Sequence, residues 1–347
     1  MIGSQELELA VSCHKTIFDI LEVKPGETLL ITIDSKADFR IAEGMARAGE
    51  CAGAKTMIAY HSTPPGYGKV GDPYLPDSLY GAILRADAWV ELNNQWLLYN
   101  SAWEEAMREG TKTRYLFLGG LDVDMINRCI GAIDLKALRE FMTAVVDMTH
   151  AAKQMHITTP AGTDVSFTNV GRPVTNECHA STPGPHFLLG QIGWAPLEES
   201  INGEIVFDGS FSGGGPADLG ILKTPIKLVV EKGRIVDIVG GEEAKFLADW
   251  LKSLNDDNMY NMAHVCYGFN PGARLSGLCT EDERVWGSTE WGFGYQGPFF
   301  QGNAGEAVTH CDGICLNSSV WLDGHQILDE GKVVDPKLAE LAKPLGK

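Results

Sequence analysis

Thr28-Leu29-Leu30-Ile31-Thr32-Ile33, running into Asp34-Ser35, is the stretch that decides the fold of the first half of this chain. A short run that is apolar on both faces reads as a strand covered on both sides, the pattern of a parallel sheet. Pro25-Gly26 turns the chain into it. A helix is expected to leave it, opening at Asp34-Ser35 and running through Ile41 and Met45 to Ala48.

The alternation repeats outward from that strand. Further strands are expected at Thr56-Met57-Ile58-Ala59-Tyr60, Ala88-Trp89-Val90-Glu91-Leu92 and Tyr115-Leu116-Phe117-Leu118. Helices are expected from Gln5 to Leu21 with Ser4 as N-cap, from Ser101 to Arg108, and from Leu135 to Ala152. Buried strands alternating with helices predict a Rossmann-like parallel α/β domain over residues 1–150. The strand ends carry Asp34-Ser35, His61-Ser62 and Gly119-Gly120, none in the glycine frame of a dinucleotide site.

After Gln154 the texture changes to short strands in glycine-rich connections. His156 to Thr159 and Asp164 to Phe167 flank a Pro160-Ala161-Gly162 turn, and Ile226–Val230 with Ile235–Val239 form a hairpin through Lys232-Gly233. Glu242 to Leu254 reads as a helix. The fold class is therefore α/β plus α+β, with residues 151–347 a mainly antiparallel, β-rich metal-binding domain.

The 347 residues carry 46 acidic and 28 basic side chains, a formal net charge of −18 that repels phosphate backbones and argues against nucleic acid. No apolar run reaches the roughly 20 residues that span a bilayer, and the first residues lack a basic-then-apolar leader, so no membrane is expected. Eight scattered cysteines without a C-x-x-C pair read as reduced thiols of a cytoplasmic protein.

Thr309-His310-Cys311-Asp312-Gly313 is the sharpest chemical signal. Residues two apart on a strand share a face, so an imidazole and a carboxylate can converge on one ion. His264, in Met262 to Tyr267, offers a third ligand; its alternative is a core histidine bonded to a carbonyl. Glu290, in Gly287-Ser288-Thr289-Glu290-Trp291-Gly292, is a carboxylate among aromatics and glycines, either a ligand or substrate contact, or a loop acid reaching solvent. Glu204 is a similar acid at a strand start, as a ligand or as an exposed strand-end group. Glu177, His179 and His186 lie in a Pro- and Gly-rich loop, the two histidines as candidate bases or plain surface groups. Trp194, Trp286, Trp291, Tyr267, Phe293 and Tyr295 form either a stacking wall or core.

Taken together, Gly203-Glu204, Gly268-Phe269-Asn270-Pro271-Gly272-Ala273-Arg274, Gly287-Ser288-Thr289-Glu290 and Thr309-His310-Cys311-Asp312 resemble the thermophilic aminopeptidase family. They are more similar still to its oxygenase branch, the 2,5-dihydroxypyridine 5,6-dioxygenases. The resemblance implies Fe(II) on His264, His310 and Asp312, with a small-molecule substrate, O2 and a homo-oligomer. It implies ring cleavage of a hydroxylated N-heteroaromatic compound, with His186, His179 or Glu177 taking a hydroxyl proton and Glu290 orienting substrate or water. The aminopeptidase side of the same resemblance implies instead a hydrolase with one or two Zn, Co or Mn ions, to which Glu204 and Glu290 would be added as ligands.

Overall fold

The computed structural model describes residues 4–347. Contacts divide the chain into one unit of residues 1–133 with 177–189 and another of 134–176 with 190–347. The expected boundary near 150 differs at both edges. Helix Leu135–Ala151, started by Asp134 accepting from Lys136 N and Ala137 N, counts with the second unit, and segment 177–189 returns to the first.

The first unit holds a five-stranded sheet in the order Lys55–His61, Thr28–Asp34, Ala88–Glu91, Arg114–Phe117, Gly184–His186, every neighbouring pair parallel. The apolar run quoted first is the second strand of this order, buried from Leu29 onward. Two expectations shift. The second helix is Phe39–Cys51, capped by Asp38 accepting from Arg40 N, because the Asp34 carboxylate is taken by Lys36 N at 3.0 Å and Gln95 N at 2.8 Å. The first helix is Ser4–Lys15 followed by a π-turn at Thr16–Ile20; the cap expected of Ser4 rests on a side chain outside the described residues.

The second unit stacks two antiparallel sheets. One has eight strands in the order Arg234–Gly240, Ile226–Glu231, Asn202–Phe207, Asp164–Thr168, Gln154–Thr158, Ser319–Leu322, His325–Asp329, Lys332–Val333. The other has six, in the order Gly220–Ile221, Ser210–Ser212, His310–Cys315, Thr289–Gly294, Met262–Gly268, Gln191–Trp194. The expected hairpin forms at Lys232-Gly233, both with positive φ (49° and 74°), the backbone a tight two-residue turn between twisted strands needs. Aromatics fill the space between the sheets: Phe167 meets Trp291 at 5.4 Å between ring centroids and Phe211 meets Phe293 at 6.0 Å. Trp194, Trp291, Tyr267 and Phe293 are fully buried, so these four are core and not a ligand wall.

Candidate metal centre

Packing one face of the six-stranded sheet with aromatics leaves the other face for chemistry. Along Thr289–Gly294 the residues alternate, Trp291 and Phe293 inward, Glu290, Gly292 and Gly294 on the opposite face. Register then sets a row across three strands: His264 pairs with Gly292, and Gly292 pairs with Asp312. The middle position of the row has no side chain. A Cβ at Gly292 would stand 2.3 Å from His264 Cε1 and 2.5 Å from its Nδ1, so only glycine lets the imidazole lean over the neighbouring strand. A bulge between Met262 and His264 re-aims that side chain.

His310 joins from the same strand as Asp312. Its Nε2 lies 2.8 Å from Asp312 Oδ1, and His264 Nε2 lies 3.7 Å from the same oxygen. Ligand atoms of His264, His310 and Asp312 all lie within 4.8 Å of one another. His310 Nδ1 donates to the Tyr295 carbonyl at 2.5 Å, which points Nε2 at the cluster. Glu290, without exposed surface, has Oε2 at 3.0 Å from His264 Nε2, while its Oε1 has no hydrogen-bond partner. The two imidazoles stack at 5.0 Å between centroids.

Charges in this pocket are held by protons. Burial pulls the His310 imidazole down, but the Asp312 carboxylate and its hydrogen bond outweigh that and lift it to about 9. Burial pushes Asp312 up, and the paired His310 outweighs it, leaving Asp312 at about 2. Burial and the neighbouring His310 lower His264 to about 4. Burial, then the Asp312 and Glu283 carboxylates, push Glu290 well above the ordinary carboxyl range. A divalent cation would replace the protons on His310 Nε2 and Glu290. Two imidazoles and a carboxylate with ligand atoms within 4.8 Å of one another, and an orphaned buried oxygen beside them, fit such an ion.

The structure adds ligand-capable groups that sequence reading missed. Cys266 groups with His264 and Glu290, and Cys279 and Glu283 group with Asp312. Cys279 Sγ donates to Glu283 Oε1 at 2.8 Å and stands 3.9 Å from Asp312 Oδ2, and the other Glu283 oxygen is held by Arg284 and by Gln191 Nε2 at 2.9 Å. The spacing of four between Cys279 and Glu283 was the available signal.

Other expected site residues fall elsewhere. Glu204 lies in the eight-stranded sheet, half-exposed, 3.0 Å from Lys227 Nζ, and belongs to none of the metal-capable groups among the described residues, in keeping with the exposed strand-end alternative. Glu177, His179 and His186 belong to the parallel-sheet unit. There His186 Nε2 donates to the Thr182 carbonyl at 2.8 Å, leaving Nδ1 to face Glu177 Oε2 at 3.8 Å. Burial lowers the His186 imidazole, the main effect, so the ring is neutral with its lone pair on Nδ1. The His179 ring lies 5.7 Å from it.

A family model described as 2,5-dihydroxypyridine 5,6-dioxygenase (NicX) matches residues 9–335. A protein of that name from Pseudomonas putida (strain KT2440) is 25% identical over an alignment of 287 residues, with 77% of this chain and 77% of the other covered. The solved 2,5-dihydroxypyridine dioxygenase of Pseudomonas putida KT2440 superposes with a TM-score of 0.78 at 20% identity, covering 98% of this chain and 100% of the other. AmpT from Thermus thermophilus superposes at 0.68 with 16% identity, covering 96% and 100%. At these identities the superpositions speak for the shared fold, a parallel α/β unit and a β-rich one.

Proposed function

The chain belongs to the 2,5-dihydroxypyridine 5,6-dioxygenase family, and on that premise we propose that it cleaves the ring of a hydroxylated N-heteroaromatic compound such as 2,5-dihydroxypyridine, with one Fe(II) held by His264, His310 and Asp312. Membership makes it an enzyme of the dioxygenase class. The observation that carries the finer reading is the row of His264, Gly292 and Asp312 across three strands, with His310 2.8 Å from Asp312. Iron(II) held by His264, His310 and Asp312 would supply one-electron chemistry toward O2 and an electron-rich ring. The net change adds both oxygen atoms while a ring bond breaks, giving an open-chain amide acid with the atoms of substrate plus O2.

The chain's own groups have separable tasks. Tyr295 holds His310 in the rotation that turns Nε2 inward. Gly292, having no side chain, leaves room for the His264 ring to lean toward Asp312. Glu290, buried beside His264 with its Oε1 free of partners, would orient a substrate or water by accepting a hydrogen bond from it. His186, neutral with Nδ1 as acceptor, is the group of the parallel-sheet unit with the chemistry of a general base.

The hydrolase reading needs a second acidic ligand set, and Glu204, half of that set, is committed to Lys227 in the other sheet. The deciding measurement is anaerobic metal analysis with O2 uptake on 2,5-dihydroxypyridine, for wild type and His264→Ala. One iron per chain, one O2 consumed per substrate and loss of both in the variant are expected. Two redox-inert ions per chain, with amide cleavage under argon, would replace the oxygenase by the hydrolase.

A further inference from the structure

The two imidazoles of the centre are held by different means. His310 Nδ1 has a carbonyl to donate to. His264 Nδ1 is buried and has no hydrogen-bond partner. A histidine that ligates through one nitrogen ordinarily donates from the other to a carboxylate or carbonyl, and that bond fixes tautomer and ring rotation. For His264 ring stacking carries the contacts instead: Phe300 stacks on it at 4.6 Å and 17°, and His310 at 5.0 Å and 12°.

We propose that Phe300 is a positioning residue that orients His264 by ring stacking, standing in for the missing acceptor at Nδ1, and that residues 296–304 form the frame that holds it there. The proposal rests on the reading of His264, His310 and Asp312 as ligands. Gln296 closes the frame and ties it to the bulge beside His264: Nε2 donates to the Ala263 carbonyl at 2.5 Å, and Oε1 accepts from Ala304 N at 3.2 Å. Arg172, buried and paired with Glu198 at 2.6 Å, donates from Nη1 to the Gln301 carbonyl at 2.5 Å. Glu198 Oε1 accepts from Asn303 N at 2.5 Å, and Asn261 Nδ2 donates to the Ala304 carbonyl at 3.0 Å.

The frame also holds an unfavourable backbone. Gln301, directly after Phe300, has φ of 52°, a left-handed conformation that a non-glycine residue adopts only where its surroundings impose it. Here the imposing contact is Arg172 on the Gln301 carbonyl. At Gly302 a Cβ would stand 2.2 Å from Gln296 Oε1, so a side chain there would push the Gln296 amide out of its hydrogen bonds to Ala263 and Ala304. Hydrogen bonds are thus spent on the turn that carries Phe300, and the ring passes the constraint to His264 through its face.

The test uses full-length protein with 15N-labelled histidine, comparing wild type, Phe300→Leu, Phe300→Trp and Glu198→Gln. In the metal-free protein Phe300→Leu is expected to broaden or split the His264 ring signals, and Phe300→Trp to keep them sharp. Titration with Co(II), read by its visible bands, is expected to give a Kd raised about tenfold in Phe300→Leu, about threefold in Glu198→Gln, and near wild type in Phe300→Trp. Wild-type ring signals and Co(II) affinity in Phe300→Leu overturn the proposal, as does equal loss in the Leu and Trp variants. If wild type and His264→Ala take up Co(II) alike, the ligand reading fails, while the metal-free ring signals still decide the role of Phe300. Should Phe300→Leu not fold, Glu198→Gln, which keeps the ring and loosens its frame, decides by the same two readouts.

Discussion

Glu91 in the parallel sheet and Glu290 in the antiparallel one are both strand glutamates without exposed surface, both pushed up by burial, and they are put to opposite uses. Each Glu91 oxygen has a donor: Leu97 N reaches Oε1 at 2.5 Å and the Tyr115 hydroxyl reaches Oε2 at 2.5 Å. Glu290 has one oxygen on His264 and one with nothing, and its neighbours Asp312 and Glu283 are like-charged. A buried carboxylate whose oxygens are both engaged pins a loop to a strand. One left half-satisfied among imidazoles and other acids is costly unless something else comes to it. Burial alone therefore does not mark a site; what sets Glu290 apart is an unmet oxygen among imidazoles and other acids.

Substituting one acid from each region gives the largest separation. Asp312→Ala is expected to cut iron content below about a tenth and turnover by at least about a hundredfold, beyond what loss of an outer partner costs. Glu91→Ala leaves two buried donors and a void, a destabilisation of about 3 kcal/mol, with iron content per folded chain unchanged. Metal analysis beside urea unfolding of both variants checks this. Iron retained in Asp312→Ala, or lost in folded Glu91→Ala, would erase the distinction.

A finer version stays within the antiparallel unit and compares the two faces of one sheet. A methyl at Gly292 strikes the His264 ring, whereas at Gly313 it strikes the Phe207 ring on the core side, 2.5 Å from the nearest atom. Both alanines overpack, at about 1–3 kcal/mol each. Only Gly292→Ala is expected to weaken iron binding, by about tenfold. Equal weakening by both would mean that the ion feels general strain in the sheet and not the cleared position.

How much of this was legible follows from the range of each interaction. The Thr28–Asp34 strand was readable because burial on both faces needs a local apolar run. Gly184–His186, three residues with a proline, carries no period, and it becomes a strand only by lying beside Arg114–Leu116. His310 and Asp312 were readable as a pair because strand alternation is local. That His264 faces them depends on register across Thr289–Gly294, which no local pattern states. Glu204 looked like Glu290 in sequence; pairing opposite Val229 and Asp164, beside Lys227, took it to the other sheet. Gly292 had a signal after all, since Glu290, Gly292 and Gly294 alternate with two aromatics, but a missing side chain is easily read as a turn.

The smallest expected effect on turnover, none, comes from Glu91→Gln, and its value lies in pH. Glu91 sits at about 8 in the folded protein, against 4.5 for a free glutamate, burial being the main cause. Between those values the folded chain keeps a proton that the unfolded chain releases. Stability from this group is therefore full below about pH 4.5 and is lost as pH rises toward 8, with a slope of at most about 1.4 kcal/mol per pH unit. Glutamine has no proton to lose; its carbonyl can still accept from Leu97 N, and the Tyr115 hydroxyl can accept from its amide. The urea midpoint of wild type should fall between pH 5 and pH 8 more steeply than that of Glu91→Gln, and above pH 8 the variant should be the more stable. Parallel profiles would mean that the donors around Glu91 stabilise its ionised form as well as its neutral one. The buried acid of the parallel sheet would then be as charged as Asp312, and the contrast with the metal centre would rest on unmet hydrogen bonds alone.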